Sequence, residues 1–259
     1  VTLLSWPLPV LVAGLLVSLG AGVVRGFAGF GYSALTVAGL AVFVAPSTVV
    51  PAVLTLEVVA SISMLRGSLR EADRDWLRWL VIGNLLFIPV GITLLIALPT
   101  TLLRLLVGGA LMASAIGLLS ASEHTFRPTL GLRVTAGVAS GLLNGVAASG
   151  GVAAAMLMAA TRMPAAAMRA TMVSFLLFAG SYALLCAVLL PMSAGTRLIS
   201  MDTLRWGAML APTMLLGVWV GQHSFANANP AAYRKHVLRL LIVISGLGVL
   251  RALVDLSAG

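Results

Sequence analysis

The chain has 259 residues, 60% of them hydrophobic and only 9% charged, with a formal net charge of +9 and a mean hydropathy of +1.10. A soluble domain carries about a quarter charged residues, so these figures exclude a water-soluble globule, and they equally exclude a disordered chain, which is rich in charge and poor in apolar residues. The single cysteine, Cys186, excludes a disulfide framework and any multi-cysteine metal site.

The basic residues are scattered between apolar runs, a pattern that orients a membrane protein and does not resemble a nucleic-acid footprint. The expected class is an all-α polytopic membrane protein with the lipid bilayer as its main partner. Apolar runs fall at 8–24, 31–45, 47–65, 76–98, 101–120, 131–144, 150–160, 165–190, 202–222 and 236–256. Crossing a bilayer takes about 20 apolar residues, and six of these runs are long enough. The pairs 8–24/31–45 and 131–144/150–160 are instead interrupted by small, glycine-rich sequence. The first break reads Arg25-Gly26-Phe27-Ala28-Gly29-Phe30-Gly31-Tyr32, the second Asn144-Gly145-Val146-Ala147-Ala148-Ser149-Gly150-Gly151.

Arginine placement decides how the broken pairs run. If each pair crosses once, the two sides carry nine and six Lys/Arg. If each returns to its starting side, the split becomes eleven against four, with Arg25 left inside the first hairpin. The hairpin arrangement is therefore expected, with both termini outside the cytoplasm. The short second arms predict re-entrant hairpins that cross incompletely. Residues 8–24 lack the basic flank and cleavage site of a secretory signal.

The two halves resemble each other. Aligning Gly26 with Gly145 superimposes the breaks and brings Pro46 beside Pro164. Further along, Trp79 matches Trp206, and Leu103-Arg104-Leu105-Leu106 matches Leu238-Arg239-Leu240-Leu241. The predicted repeats are 1–122 and 123–259, each a broken hairpin followed by three crossings. Three is odd, so the second repeat is inverted, a plan that recurs in secondary transporters.

A broken helix leaves backbone N–H and C=O groups that lipid cannot satisfy. The free N–H end of a helix carries positive partial charge and suits an anion. Gly26, Gly29 and Gly31, with Gly145, Gly150 and Gly151, would let a ligand approach the backbone. The competing reading is close helix packing through small residues. Arg25 and Asn144, at equivalent positions before the two breaks, favour the ligand.

With GFAGFG and GVAASGG early in the two halves, and Pro164 and Ala170-Thr171 after the second, the chain resembles the TauE/SafE family of sulfite exporters and sulfonate permeases. The likeness runs over essentially the whole chain. Two departures stand: no proline follows either glycine cluster closely, and Val50-Pro51-Ala52-Val53-Leu54 replaces an alanine-threonine-serine pattern. The resemblance implies a transporter in a bacterial cytoplasmic (inner) membrane, with sulfite or an organosulfonate as cargo.

Among individual residues, Arg25 is costly to bury and needs a partner, either a bound anion or Glu57. A guanidinium suits a sulfonate because its planar donors engage two oxygens at once. Glu57, in mid-run, is a candidate proton carrier or a mere counter-ion. Tyr32, Ser33, Asn84, Asn144, Ser149 and Thr171 can donate to an anion's oxygens or bond between helices. No His/Cys/carboxylate cluster or nucleotide-binding loop appears, so no metal, cofactor or nucleotide is expected.

Three functions compete. A secondary transporter of a small sulfur-containing anion leads, with proton coupling through Glu57 expected and simple uniport as its rival. An anion channel or uniporter for another small organic anion could use the same broken hairpins. An intramembrane enzyme would need a histidine near Ser149, and none of the three histidines lies mid-membrane. Nothing in the sequence fixes the oligomeric state.

Overall fold

The structure, a computed structural model, describes residues 8–41, 43–44, 46–66, 68–120, 126–161, 163–189 and 201–225, with single positions between 239 and 253. The crossing expected at 236–256 and the Leu238–Leu241 match fall largely outside the described residues, as do His124, Arg162, Arg197, Arg234, Lys235, His236 and Arg251.

All regular structure among the described residues is helical. In chain order the helices are α1 (Leu8–Ala28), α2 (Tyr32–Ala41), α3 (Pro46–Met64), α4 (Ser68–Glu71), α5 (Arg74–Ala97), α6 (Thr100–Ser120), α7 (Leu130–Ala147), α8 (Gly150–Ala159), α9 (Ala165–Leu189) and α10 (Met201–Phe225). Six of them, α1, α3, α5, α6, α7 and α9, are long and apolar enough to cross a bilayer. α10 is as long as α9, but Arg205, Thr213, Gln222 and His223 lower its hydropathy, and it is not among the six.

Local chemistry sets several helix ends. Asp73 caps α5 by accepting from the Asp75 and Trp76 amides, each at 3.0 Å. Thr129 caps α7 through the Leu132 amide at 3.3 Å. α7 stops at Ala148, which takes a left-handed conformation with φ of 52°.

The broken pairs differ from expectation in where the break falls. α1 continues through Arg25 to Ala28 and α7 through Asn144 to Ala147, so both first arms are long enough to cross. The turns are confined to 29–31 and to Ala148-Ser149. Among the described glycines only Gly29 (φ 82°) and Gly31 (φ 100°) use glycine's conformational freedom. Each second arm, α2 and α8, has 10 residues and rises only about 15 Å. α2 folds back on α1, with Gly39 against Val17 and Leu40 against Gly14. α8 folds back on α7, with Gly150 against Ser140 and Asn144.

Two long helix pairs are built on glycine. Gly22 and Gly26 of α1 face Gly217, Val218 and Gly221 of α10, while Gly137, Gly141 and Gly145 of α7 face Gly83, Asn84 and Gly91 of α5. A Cβ at Gly26 or Gly145 would collide with the opposing backbone. At these two positions the packing reading wins: small residues let the helices meet closely enough for dispersion forces to hold them. α3 packs against α9 and α10, and α9 against α3 and α5.

The polarity is distributed as a bilayer requires. Leu8, Leu16, Leu86, Val188, Leu189 and Trp219 point outward, while Arg25, Glu57, Ser61, Asn84, Ser140, Asn144 and Ser149 are buried.

Candidate functional site

The first break gathers charge. Arg25 lies on the last turn of α1 with its side chain 0% exposed. Its Nη2 stands 3.2 Å from Glu57 Oε1 on α3 and donates to Ser61 Oγ at 2.6 Å, while Nη1 donates to the Gly29 carbonyl. Ser61 sits one turn after Glu57 and donates to the Glu57 carbonyl at 2.8 Å. The Arg25–Glu57 contact is a pairing of charges without hydrogen-bond alignment: neither carboxylate oxygen of Glu57 receives a hydrogen bond, and Arg25 Nε makes none. Buried polar atoms left so are rare and point to strain, water or a ligand.

A second guanidinium reaches the same turn. Arg169, half-buried on α9, donates from Nη2 to the Gly26 carbonyl at 2.9 Å. Its backbone and Cγ pack over Gly29, where a Cβ would lie 2.8 Å from that Cγ. Two arginines thus cap neighbouring carbonyls at the C-terminal, electronegative end of α1.

The second break is neutral and tightly bonded. Asn84 of α5 donates to Ser140 Oγ at 2.6 Å and to the Leu80 carbonyl at 2.9 Å. Asn144 donates to Asn84 Oδ1 at 2.7 Å and accepts from the Gly150 amide at 2.9 Å. Asn144 therefore ties α7 to α5 and holds the first turn of α8. Ser149, the residue before α8, is 1% exposed and its Oγ has no hydrogen-bond partner.

The two breaks meet on α9. Gly29 packs on Arg169, and Gly151 packs on Met172 and Leu176. Arg169 and Met172 share one helix face, separated by roughly 5 Å of axial rise. Each break also presents the N-terminus of a short helix, α2 or α8, the positive end of its dipole.

The candidate residues therefore divide. Arg25, Gly29 and Glu57 come together at the first turn, with Gly26 contributing its carbonyl and Gly31 the second positive φ. Asn84, Asn144, Ser149, Gly150 and Gly151 form the second group. Two residues are engaged elsewhere. The Tyr32 hydroxyl lies 3.0 Å from Ser18 Oγ, which also donates to the Leu210 carbonyl, so it links α2, α1 and α10. The Thr171 hydroxyl accepts from the Asp73 amide at 2.9 Å and donates to the Ala167 carbonyl at 2.7 Å, anchoring the α4–α5 connector.

Sequence reasoning missed Ser61, Ser140 and Arg169. Ser61 and Ser140 each lie four residues from a candidate, Glu57 and Asn144, on the same helix face. In the sequence Arg169 reads as one of the eleven orienting charges on one side of the membrane, although it falls inside the 165–190 apolar run. Among the described residues no group of His, Cys, Asp and Glu could hold a metal.

An outward apolar surface, six membrane-length helices and a buried polar core define an integral membrane protein. The family described as sulfite exporter TauE/SafE matches residues 14–248, nearly the whole chain, and the chain belongs to that transporter family. No curated protein and no solved structure matches it.

Proposed function

We propose that this chain is a secondary transporter that carries sulfite or an organosulfonate across a bacterial cytoplasmic membrane by alternating access, coupled to protons through Glu57. The observation that carries the reading is Arg25. A fully buried guanidinium with an unused Nε, beside a backbone turn and a single carboxylate, is expensive to maintain unless a ligand uses it. Its planar donors match two oxygens of a sulfite or sulfonate group.

The coupling follows from competition. An anion that engages Arg25 displaces Glu57, and the displaced carboxylate, which has no hydrogen-bond donor of its own, takes up a proton. Among the described residues, Tyr32 on α2 and Arg169 on α9 are ionisable groups close enough to interact with this pair. At the second break the Asn84–Asn144 bond is already made, and Ser149 Oγ, buried without a hydrogen-bond partner, is the donor we assign to the substrate.

Alternating access requires two halves that exchange roles. We assign them to 1–122 and 123–259, inverted relative to each other, with both termini outside the cytoplasm. The helix contacts support this: exchanging α1 with α7, α3 with α9 and α5 with α10 turns the α1–α10 contact into α7–α5 and the α3–α10 contact into α9–α5. The glycine pairs obey the same exchange, since Gly221 opposes Gly26 as Gly91 opposes Gly145. In that register the counterpart of Trp206 is Trp76 rather than Trp79.

The test is counterflow in proteoliposomes preloaded with sulfite or short alkanesulfonates, with and without an imposed pH gradient. Saturable exchange accelerated by the gradient is expected. Flux that neither saturates nor shows counterflow would make the protein a channel.

A further inference from the structure

We propose that Arg169, contributed by the second half of the chain, is the second cationic arm of the anion site and sets its preference for the charge of the anion. The inference rests on the reading of the first break as the substrate site. The argument begins with a charge count. Arg25 and Glu57 face each other and together are neutral, so by themselves they offer an incoming anion no net attraction. Arg169 adds a second guanidinium beside that pair, so the three side chains together sum to a positive charge. With Glu57 ionised the cluster carries one positive charge, matched to a monoanion; with Glu57 protonated it carries two, matched to a dianion.

The geometry holds both guanidinium groups at one turn. Arg169 Nη2 is fixed on the Gly26 carbonyl at 2.9 Å, three residues from the Gly29 carbonyl that takes Arg25 Nη1. Gly29, with φ of 82°, supplies the flat surface over which the Arg169 stem lies. The C-terminal end of α1 offsets the repulsion between the two cations with its own negative partial charge. The exposed Glu71 on α4 also attracts Arg169, but solvent weakens that pull. The arm spans α1 and α9, so an anion gripped by both arginines bridges the two halves.

The test uses two probes of similar size that keep their charge at all working pH values: sulfate, a dianion, and methanesulfonate, a monoanion. KM values for exchange of each are measured in proteoliposomes with wild type, Arg169→Gln and Arg169→Lys, and with Arg133→Gln as a control. Arg133 pairs with the exposed Asp75 away from the breaks. Loss of a charge-assisted bond predicts about a tenfold or larger rise in the sulfate KM of Arg169→Gln, with a several-fold smaller rise for methanesulfonate. Arg169→Lys keeps the charge and is expected to keep most of the wild-type ratio. Arg169→Met, which preserves the apolar contact with Gly29, replaces the glutamine variant if that does not fold.

An unchanged sulfate-to-methanesulfonate ratio in the neutral variants overturns the proposal, because a purely structural arginine would affect both probes alike. A lysine variant whose ratio falls to the glutamine value overturns it as well. A wild type that exchanges neither probe, nor sulfite, overturns the transport reading itself, an outcome distinct from an unchanged ratio.

Discussion

Arg25 on α1 and Glu57 on α3 meet with Nη2 and Oε1 3.2 Å apart, at 0% and 2% exposure, inside a membrane protein. The pair offsets part of the cost of burying two charges, yet leaves the Glu57 oxygens without a hydrogen bond. Breaking such a pair from one side is costly, whereas replacing both members with apolar residues is often neutral. Glu57→Ala is therefore expected to destabilise the protein by about 3–5 kcal/mol. The double variant Arg25→Met with Glu57→Met should recover most of that loss in detergent unfolding experiments while exchanging no anion. Equal stability in the two variants would show that the pair is not coupled.

Glu57→Gln removes the proton acceptor and keeps the shape. If Glu57 couples protons to the anion, this variant should exchange anions at a rate that no longer responds to an imposed pH gradient, whereas wild type accelerates. A gradient response that survives the substitution would move coupling to another group.

Two glycines of the first hairpin, Gly29 in the turn and Gly20 in α1, should behave oppositely when given a methyl group. Gly29→Ala forces a left-handed alanine, costing about 1–2 kcal/mol, and sets its Cβ 2.8 Å from Arg169 Cγ. Lower stability together with weaker anion exchange is expected. Gly20 has nothing within 4 Å of the added carbon, so Gly20→Ala should stabilise the helix by about 0.5–1 kcal/mol. Thermal unfolding of the two purified variants distinguishes these outcomes.

The second break offers a contrast between Asn144 and Ser149. Asn144→Ala would strip partners from Asn84 and from the Gly150 amide, and should cost about 1–3 kcal/mol. Ser149 Oγ has no partner to lose, so Ser149→Ala should leave stability within about 0.5 kcal/mol of wild type. If the hydroxyl meets the substrate, the same variant raises the KM for exchange several-fold. An unaltered KM removes Ser149 from the site.

What the sequence made legible follows the size of the penalty each residue carries. Arg25 and Glu57 stood out because an ionisable group in an apolar run is costly wherever the chain goes. Arg169 did not, because a charge one turn inside a helix end looks the same whether it faces the cytoplasm or reaches across to Gly26. The helix-breaking and helix-packing glycines were also inseparable: Gly26 and Gly29 are three residues apart in one motif, yet one opposes Val218 within a continuous helix and the other turns the chain. Only the facing helix distinguishes them. Tyr32 and Thr171 were candidates for their hydroxyl groups, and their actual partners, Ser18 and Asp73, are distant in sequence.

Counterflow of sulfite in proteoliposomes, comparing wild type with Arg25→Ala and Arg25→Lys, tests most directly the claim that the first break holds the anion. Saturable exchange in wild type, abolished by alanine and partly retained with a raised KM by lysine, is the predicted result. Exchange that persists undiminished in Arg25→Ala would contradict it, leaving the buried arginine as a structural partner of Glu57.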